Sequence, residues 1–334
     1  MSKKLISMLM GMSYLQLFAD PNTQVTTSEG MTGEMKTYYS DYLIDLVEPE
    51  LVHDQMGQKH PIPKNGGKKI EFRQWDTLPE MTEPITEGVT PDGQSLSMST
   101  IEATVSQYGG YVTISDMLDL TAIDPVLIQA TKAIASQAGR SLDTITREVL
   151  NSGTNVQYAD GSVSARNQLS YTDKDTNHNL TVAAVKKAVR FLEGQDAPKI
   201  DGYYVAIIHP YVKFDLMDDP DWKKPHEYKD TVNLYNGEIG ELYGVRFVQS
   251  TRAKKFEGAG AGGADVYSTL IIGDDAYGVT EIEGGGLEHI VKQRGSAGTA
   301  DPLNQRATCG WKATKVAELL VQQYMIRIET TATP

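Results

Sequence analysis

Residues 107–155 read QYGGYVTISDMLDLTAIDPVLIQATKAIASQAGRSLDTITREVLNSGTN, a strand feeding the longest helical pattern in the chain. Asp124 followed by Pro125 is a start signal: the aspartate can accept from the unpaired N–H groups of a first turn, and proline pre-sets φ for the first helical position. From there Leu127, Ala130, Ile134, Ala138, Leu142, Ile145 and Val149 recur every three or four residues, an apolar stripe opposite Lys132, Arg140, Asp143 and Arg147. Asn151-Ser152-Gly153 ends the pattern, because glycine there can take the left-handed conformation that satisfies the last carbonyls. The spacing predicts a spine helix over 124–152, about 40 Å long at roughly 1.5 Å per residue. That is about twice the usual helix length, and the rest of the chain is read as arranged around it.

The 334 residues are 40% hydrophobic and 22% charged, which suits two domains with a sizeable core and not a disordered chain. A formal net charge of −13 argues against a protein that holds DNA or RNA by phosphate neutralisation, which needs clustered Lys and Arg. The single cysteine, Cys309, excludes an internal disulfide; beside Trp311 in a strand-like run it reads as a packed core thiol. The opening MSKKLISMLMGMSYLQLFAD resembles a signal peptide in its two lysines and broken apolar run, but no A-x-A-like cleavage site follows. The run is also too short and interrupted to span a bilayer, which takes about 20 residues. An apolar arm docked on another surface is the better reading.

Within that arm, Met35, Tyr38, Tyr39, Tyr42, Leu43 and Leu46 keep near-helical spacing over 34–46. From Asp54 to Thr100 only eleven of 47 residues are Val, Ile, Leu, Met, Phe or Trp, while Pro and Gly recur, so this segment cannot build its own core. Its ends alternate, at Lys69–Trp75 and at Ile101, Ala103 and Val105, which predicts a long extended hairpin. Ordering a residue costs about 1–2 kcal/mol of backbone entropy, so a polar hairpin needs a neighbouring subunit to order against. After the spine, 156–180 is polar and turn-rich, a second hairpin or a connector. An α/β region follows: a helix capped by Thr181, an apolar strand at Tyr203–Ile208, a helix begun by His209-Pro210, a turn then strand over Glu238–Ser250, and a strand at Val266–Ile272. Strands around Trp311 and Met325–Ile328 are expected to return to the spine.

Catalytic and ligand motifs are incomplete. Gly258, Gly260 and Gly263 fit G-x-G-x-x-G, but a dinucleotide fold needs a helix directly after, and here a strand follows. Asp173, Asp175 and Asn177 mimic a calcium loop, yet His178 and Ala184 stand where Gly and Glu are needed. His226-Glu227 lacks a second His, because position 230 is Asp, and the histidines form no spaced cluster; His209 alone merits inspection, with a structural role favoured. There is no G-x-S-x-G elbow and no P-loop, since Ile62 stands at the glycine position. Trp75, Trp222 and Trp311 read as separate packing sites, and the sequon Asn179-Leu180-Thr181 carries no meaning in a non-secreted chain. No cofactor, metal or catalytic residue is expected.

The segments LVHDQMGQKHPIPKNGGKKIEFRQW, ITEGVTPDGQ, the 107–155 stretch, GEIGELYGVRFVQS and DPLNQRATCGWKAT closely resemble, in order, a family of tailed-bacteriophage and prophage major capsid proteins. The run LQLFAD at Leu15–Asp20 is similar to the opening of many phage coat proteins. The resemblance implies an α+β chain with the Hong Kong 97-type fold: an N-terminal arm (1–53), an extended β-hairpin loop (54–104), a peripheral domain (105–180) holding the spine helix, an axial α/β domain (181–285) and a return to the peripheral domain (286–334). It further implies that Gly66, Gly67, Trp75, Thr90, Pro91 and Gly93 lie on a loop overlapping a neighbour, and that Gly244, Val245, Arg246, Phe247 and Val248 sit at the capsomer-centre end of the axial domain. The stripe Leu127, Ile134, Leu142, Ile145 and Val149 is then expected to pack on the strands of Trp311 and Met325.

On that reading the protein is a non-enzymatic coat protein of a virion made in a bacterial cytoplasm. Its partners are other copies of itself in hexamers, pentamers and a whole shell, with portal, scaffolding and decoration proteins, and double-stranded DNA held without sequence-specific contact; no membrane is involved. Two alternatives stand beside it: an encapsulin-like compartment shell, and a cytosolic α/β enzyme using 181–285.

Overall fold

A computed structural model describes residues 51–333 except 76–77, 86, 89, 91, 122–125, 160, 172–177, 223–237, 297 and 299–300. The expected arm up to residue 50 with its 34–46 helix, the Asp124-Pro125 start, Pro91, the 173–177 aspartates and His226-Glu227 therefore lie outside the described residues. The chain enters with β1 (Gln58–Lys59), forms the antiparallel pair β2 (Lys69–Trp75) and β3 (Met98–Thr104), and runs through Val105 into β4 (Ser106–Ser115). Helices α1 (Asp116–Thr121) and α2 (Val126–Leu150) follow, then β5 (Val156–Tyr158), α3 (Val182–Gly194), β6 (Tyr204–Ile208) and α4 (Pro210–Asp218). The remainder is strand: β7 (Glu238–Leu242), β8 (Val245–Gln249), β9 (Lys255–Phe256), β10 (Val266–Ile272), β11 (Tyr277–Thr280), β12 (Glu288–Lys292), β13 (Arg306–Leu319) and β14 (Met325–Thr330).

The spine is α2, and its 25 residues lie along β13. Ile134, Ala135, Ala138 and Leu142 pack on Cys309, Trp311 and Ala313, with Leu127 and Ile145 partly buried at the margin. Small residues on this face let the helix backbone approach the sheet closely, and the stripe is dense with them: Ala135, Ala138 and Gly139 are all buried. The helix's last turn serves a different core, in which Leu150 and the partly buried Val149 meet Met325. Asp143, expected on the solvent side, is instead fully buried, and Thr131 and Thr146 are buried with it. These polar residues tolerate burial because each has a hydrogen-bond partner; Thr131 Oγ1, for one, donates to the Leu127 carbonyl (2.9 Å).

Two sheets carry the body. In the first, the order is β1–β11–β13–β12, and β4 also pairs with β13. The early part of the 14-residue β13 is flanked by β4 and β12, whereas its last residues pair with β11. In the second, the order is β5–β14–β10–β6–β8–β7, with β9 on β10. This corrects the expected return: β14 does not rejoin the strands under the spine but pairs antiparallel with β10 from Tyr267↔Thr330 to Ile272↔Met325. Every residue of β14 is buried, so it needs cover on both faces, which the interior of the second sheet supplies. Conversely, β11, expected within the axial segment, belongs to the first sheet.

Helices α3 and α4 cover one face of the second sheet. Thr181 caps α3 by accepting from Ala184 N (3.3 Å), and His209 caps α4, which has proline in its first turn. Val185, Leu192 and Leu216 pack there on Tyr204, Ala206 and Ile208, while Val205 and Ile207 point to the opposite face and meet Leu150, Met56 and Tyr277. Among the described residues of 156–180 there is no hairpin; they supply strand β5, parallel to β14, and a 3-10 turn at Arg166–Gln168. Glu238–Ser250 is strand, turn and strand, with β7 antiparallel to β8.

Candidate functional site

Chemistry-bearing side chains do not converge among the described residues. Among the described residues no group of three or more His, Cys, Asp and Glu could hold a metal ion, and no helix is long and apolar enough to cross a membrane. His209 is a cap: its Nδ1 accepts from Tyr211 N (3.3 Å), its ring lies 4.8 Å from that of Tyr267, and burial pushes its pKa down. Cys309 lies under α2 with His289 Nε2 at 3.1 Å and Thr131 Oγ1 at 3.7 Å, and burial pushes its thiol up. The glycine tract is a loop in which Gly258, Gly262 and Gly263 have φ of 60°, 66° and 80°, conformations glycine adopts without strain. It leads into β10 and opens no helix.

What the fold exposes is the hairpin. Strands β2 and β3 pair from Lys69↔Thr104 to Trp75↔Met98, and Phe72 packs near Gly278 at the base. Beyond the last pair, Leu78, Met81, Ile85 and Leu96 are solvent-exposed, Ile85 by 74%, and Trp75 at the strand end by 62%. A two-stranded ribbon is marginal alone in water, and a cluster of large apolar side chains at its far end marks an interaction surface. Thr90 and Gly93 are also exposed in this region. Gly66 and Gly67 are not at the tip: they form the turn that enters β2, where Gly66 N donates to the Pro63 carbonyl (2.8 Å) and Gly67 has φ 93°.

The base of the hairpin is pinned to the body, so its expected start at 54 needs correction. Met56 and Ile62 are buried, and β1 runs parallel to β11. Just before β1, His53 N donates to Asp143 Oδ1 (2.9 Å) and His53 Nδ1 stands 2.9 Å from Oδ2, both side chains fully buried. Tyr277 Oη donates to the His53 carbonyl (2.5 Å), Thr146 Oγ1 donates to Asp54 (2.5 Å), and Lys315 Nζ contacts Asp54 and the Leu142 carbonyl. Burial pushes the Asp143 carboxyl up, but the hydrogen bonds and charge of His53, with the Lys315 ammonium, outweigh it and hold the group below the usual carboxylate range. The loop therefore projects from a rigid root on the spine helix.

The β7–β8 turn holds the other expected contacts and divides them. Val245, Phe247 and Val248 are fully buried, Phe247 with its ring 5.3 Å from Trp222, so their side chains cannot face a neighbour. Arg246 stacks over Tyr203 (4.3 Å), and Gly244, with φ 76°, makes the turn. Tyr243, which sequence reasoning passed over, is exposed there with Lys186 Nζ 4.3 Å from its ring centroid. Also unforeseen is a second apolar surface on β4 and α1, with Tyr111, Met117 and Leu120 exposed.

A body of two sheets braced by a long helix has known counterparts. A family model described as phage capsid protein matches residues 98–314, from β3 through most of β13. The chain belongs to the phage capsid protein family. Solved structures similar to this capsid protein include the capsid of Ralstonia phage GP4, with 15% identity, TM-score 0.65 and coverage of 84% of this chain and 88% of that one. The cyanophage Pam1 capsid unit follows with 16% identity, TM-score 0.63 and coverage of 83% and 88%. The capsid of cyanophage P-SCSP1u has 13% identity, TM-score 0.59 and coverage of 83% and 87%. At these identities the likeness is one of fold, the Hong Kong 97-type fold of tailed-phage capsids. No curated protein sequence matches the chain.

Proposed function

We propose that this capsid protein is the subunit whose hexamers and pentamers close into an icosahedral shell around double-stranded phage DNA, and that it works by binding and not by catalysis. The observation that carries the reading is the hairpin: a family member presents Trp75, Leu78, Met81, Ile85 and Leu96 to solvent in the single subunit, a surface that assembly would bury. In this assignment 69–104 is the extended loop, the first sheet with α2 is the peripheral domain, and the second sheet with α3 and α4 is the axial domain, whose Tyr243–Gly244 turn faces the capsomer centre. Repeating modest contacts around closed symmetry gives a stable shell without any one strong interface. The charge of −13 fits a wall that does not grip condensed DNA, so packaging and ejection are not opposed. Portal, scaffolding and decoration proteins are the expected further partners, and the host cytoplasm the site of synthesis. Light scattering on the purified chain tests this: particles of megadalton mass are expected, and a monomer or dimer at every salt and protein concentration would refute the reading.

A further inference from the structure

We infer that the open edge of the second sheet, beside α3, is a docking site for an extended acidic segment of a partner protein, which adds a strand to β5. The inference goes beyond the shell reading and does not depend on it.

Strand β5 ends the order of its sheet, and among the described residues no strand pairs with its outer side. The Asn155 carbonyl accepts from Arg327 N (3.0 Å) and Ala159 N donates to the Glu329 carbonyl (3.1 Å), so alternate residues turn their backbone groups toward β14. Val156 and Tyr158 therefore turn theirs the other way, each offering one N–H and one carbonyl along the edge. An exposed edge is ordinarily blunted by a charge or a proline on the strand; residues 154–158 have neither. Gln157 Nε2 donates to the Ala184 carbonyl (2.8 Å), which ties the strand to α3 and holds the edge in place.

The charges beside that edge select the partner. A groove of about 630 Å³ runs between β5 and the C-terminal half of α3, lined on the helix side by Lys187 and Arg190. These two are three residues apart and share a helix face. Among the described residues no aspartate or glutamate lines the groove, and neither cation makes an ion pair. In a chain of net charge −13, this is a place where the anion has to come from outside. A phosphodiester and an acidic peptide both carry that charge, and the edge decides between them. Its carbonyls have nothing to accept from a phosphodiester, whereas an added peptide strand satisfies N–H and carbonyl groups together and sends alternate side chains toward α3. Carboxylates at those positions would reach Lys187 and Arg190 as charge-assisted hydrogen bonds.

Fluorescence anisotropy on the purified full chain tests this with labelled probes: a short peptide of alternating glutamate and valine, its lysine–valine counterpart, and a short DNA duplex. The glutamate–valine peptide is expected to bind about ten-fold or more tightly than the lysine–valine one. Lys187→Glu with Arg190→Glu is expected to reverse that preference at unchanged circular dichroism, since both side chains are exposed on α3. A further probe needs no variant: a fully N-methylated glutamate–valine peptide keeps its charge but can add no strand, and it is expected to bind about ten-fold or more weakly than the unmodified peptide. Equal binding of the methylated and unmodified peptides would overturn strand addition, and equal binding by wild type and the double variant would overturn the groove. Duplex DNA held more tightly than the glutamate–valine peptide, and lost in the double variant, would overturn the inference in favour of a phosphate site. None of these results bears on whether the chain forms shells, which light scattering reads separately.

Discussion

Replacing Glu329 by alanine is expected to destabilise the unassembled subunit by about 3–5 kcal/mol, the cost of leaving buried charge without its partner. Glu329 is fully buried on β14 and accepts from Arg166 Nε (2.7 Å) and Nη2 (2.6 Å), while Arg327 Nε lies 2.9 Å from its Oε1. Arg327 and Glu329 share one face of the strand because they are two residues apart, and Arg327 also reaches the Asn151 carbonyl just past the end of α2. The carboxylate thus ties the second sheet, the 161–171 segment and the helix terminus together. A guanidinium cannot shed its proton to escape burial, so neither arginine can adapt to the loss; Arg166 would keep only its stacking on Phe256 (3.5 Å). Against a typical total stability of about 5–15 kcal/mol, such a loss is a large fraction. Urea unfolding reads it as a lower midpoint at unchanged slope; a midpoint within error of wild type would show that the network adds nothing.

Asp143→Ala is expected to cost about 3 kcal/mol, because it strips both hydrogen bonds from buried His53 and each unsatisfied buried group costs roughly 1–3 kcal/mol. The effect is smaller than at Glu329 since one histidine, and not two guanidinium groups, loses its partner. It also carries a pH signature. The Asp143 carboxyl is depressed in the folded protein relative to its ordinary 3.8, so its ionised form stabilises the fold fully above that value, and the contribution is lost as pH falls through the folded value. The stability difference between wild type and Asp143→Asn should therefore shrink as the pH falls below 3.8. Stability curves whose separation stays unchanged as the pH falls below 3.8 would assign the linkage to another group. Loss of this root should also loosen the hairpin, seen as faster amide exchange over β2 and β3.

The spine was legible because its signal is local: an apolar period of three to four residues needs no knowledge of the rest of the chain, although Gly153 follows the helix without the left-handed φ expected of it. Asp143 was misplaced because its partner is 90 residues away, and nothing within one helical turn distinguishes a buried, paired aspartate from a solvated one. The same limit governs β14. Alternation over Met325–Thr330 announces a strand, but the choice of sheet is made by pairing with β10 and by the short turn Gln322–Tyr324 after β13, which turns the chain from one sheet into the other. Val245 and Phe247 belong to a run, VRFVQ, whose apolar density fits an interior strand; the resemblance directed attention to that turn, and the exposed residue there is the neighbouring Tyr243. The hairpin's strands were readable from alternation, whereas its buried root was not, since the contacts of His53, Asp54 and Met56 all reach distant elements.

The central claim is that the hairpin tip joins subunits into a shell and does not hold the subunit together. Electron microscopy of the chain with residues 76–97 replaced by Asn-Gly, beside wild type, tests it most directly, because β2, β3 and the root on α2 are left intact. Folded subunits with wild-type circular dichroism and no closed particles are the expected result. Normal closed particles from the shortened chain would contradict it.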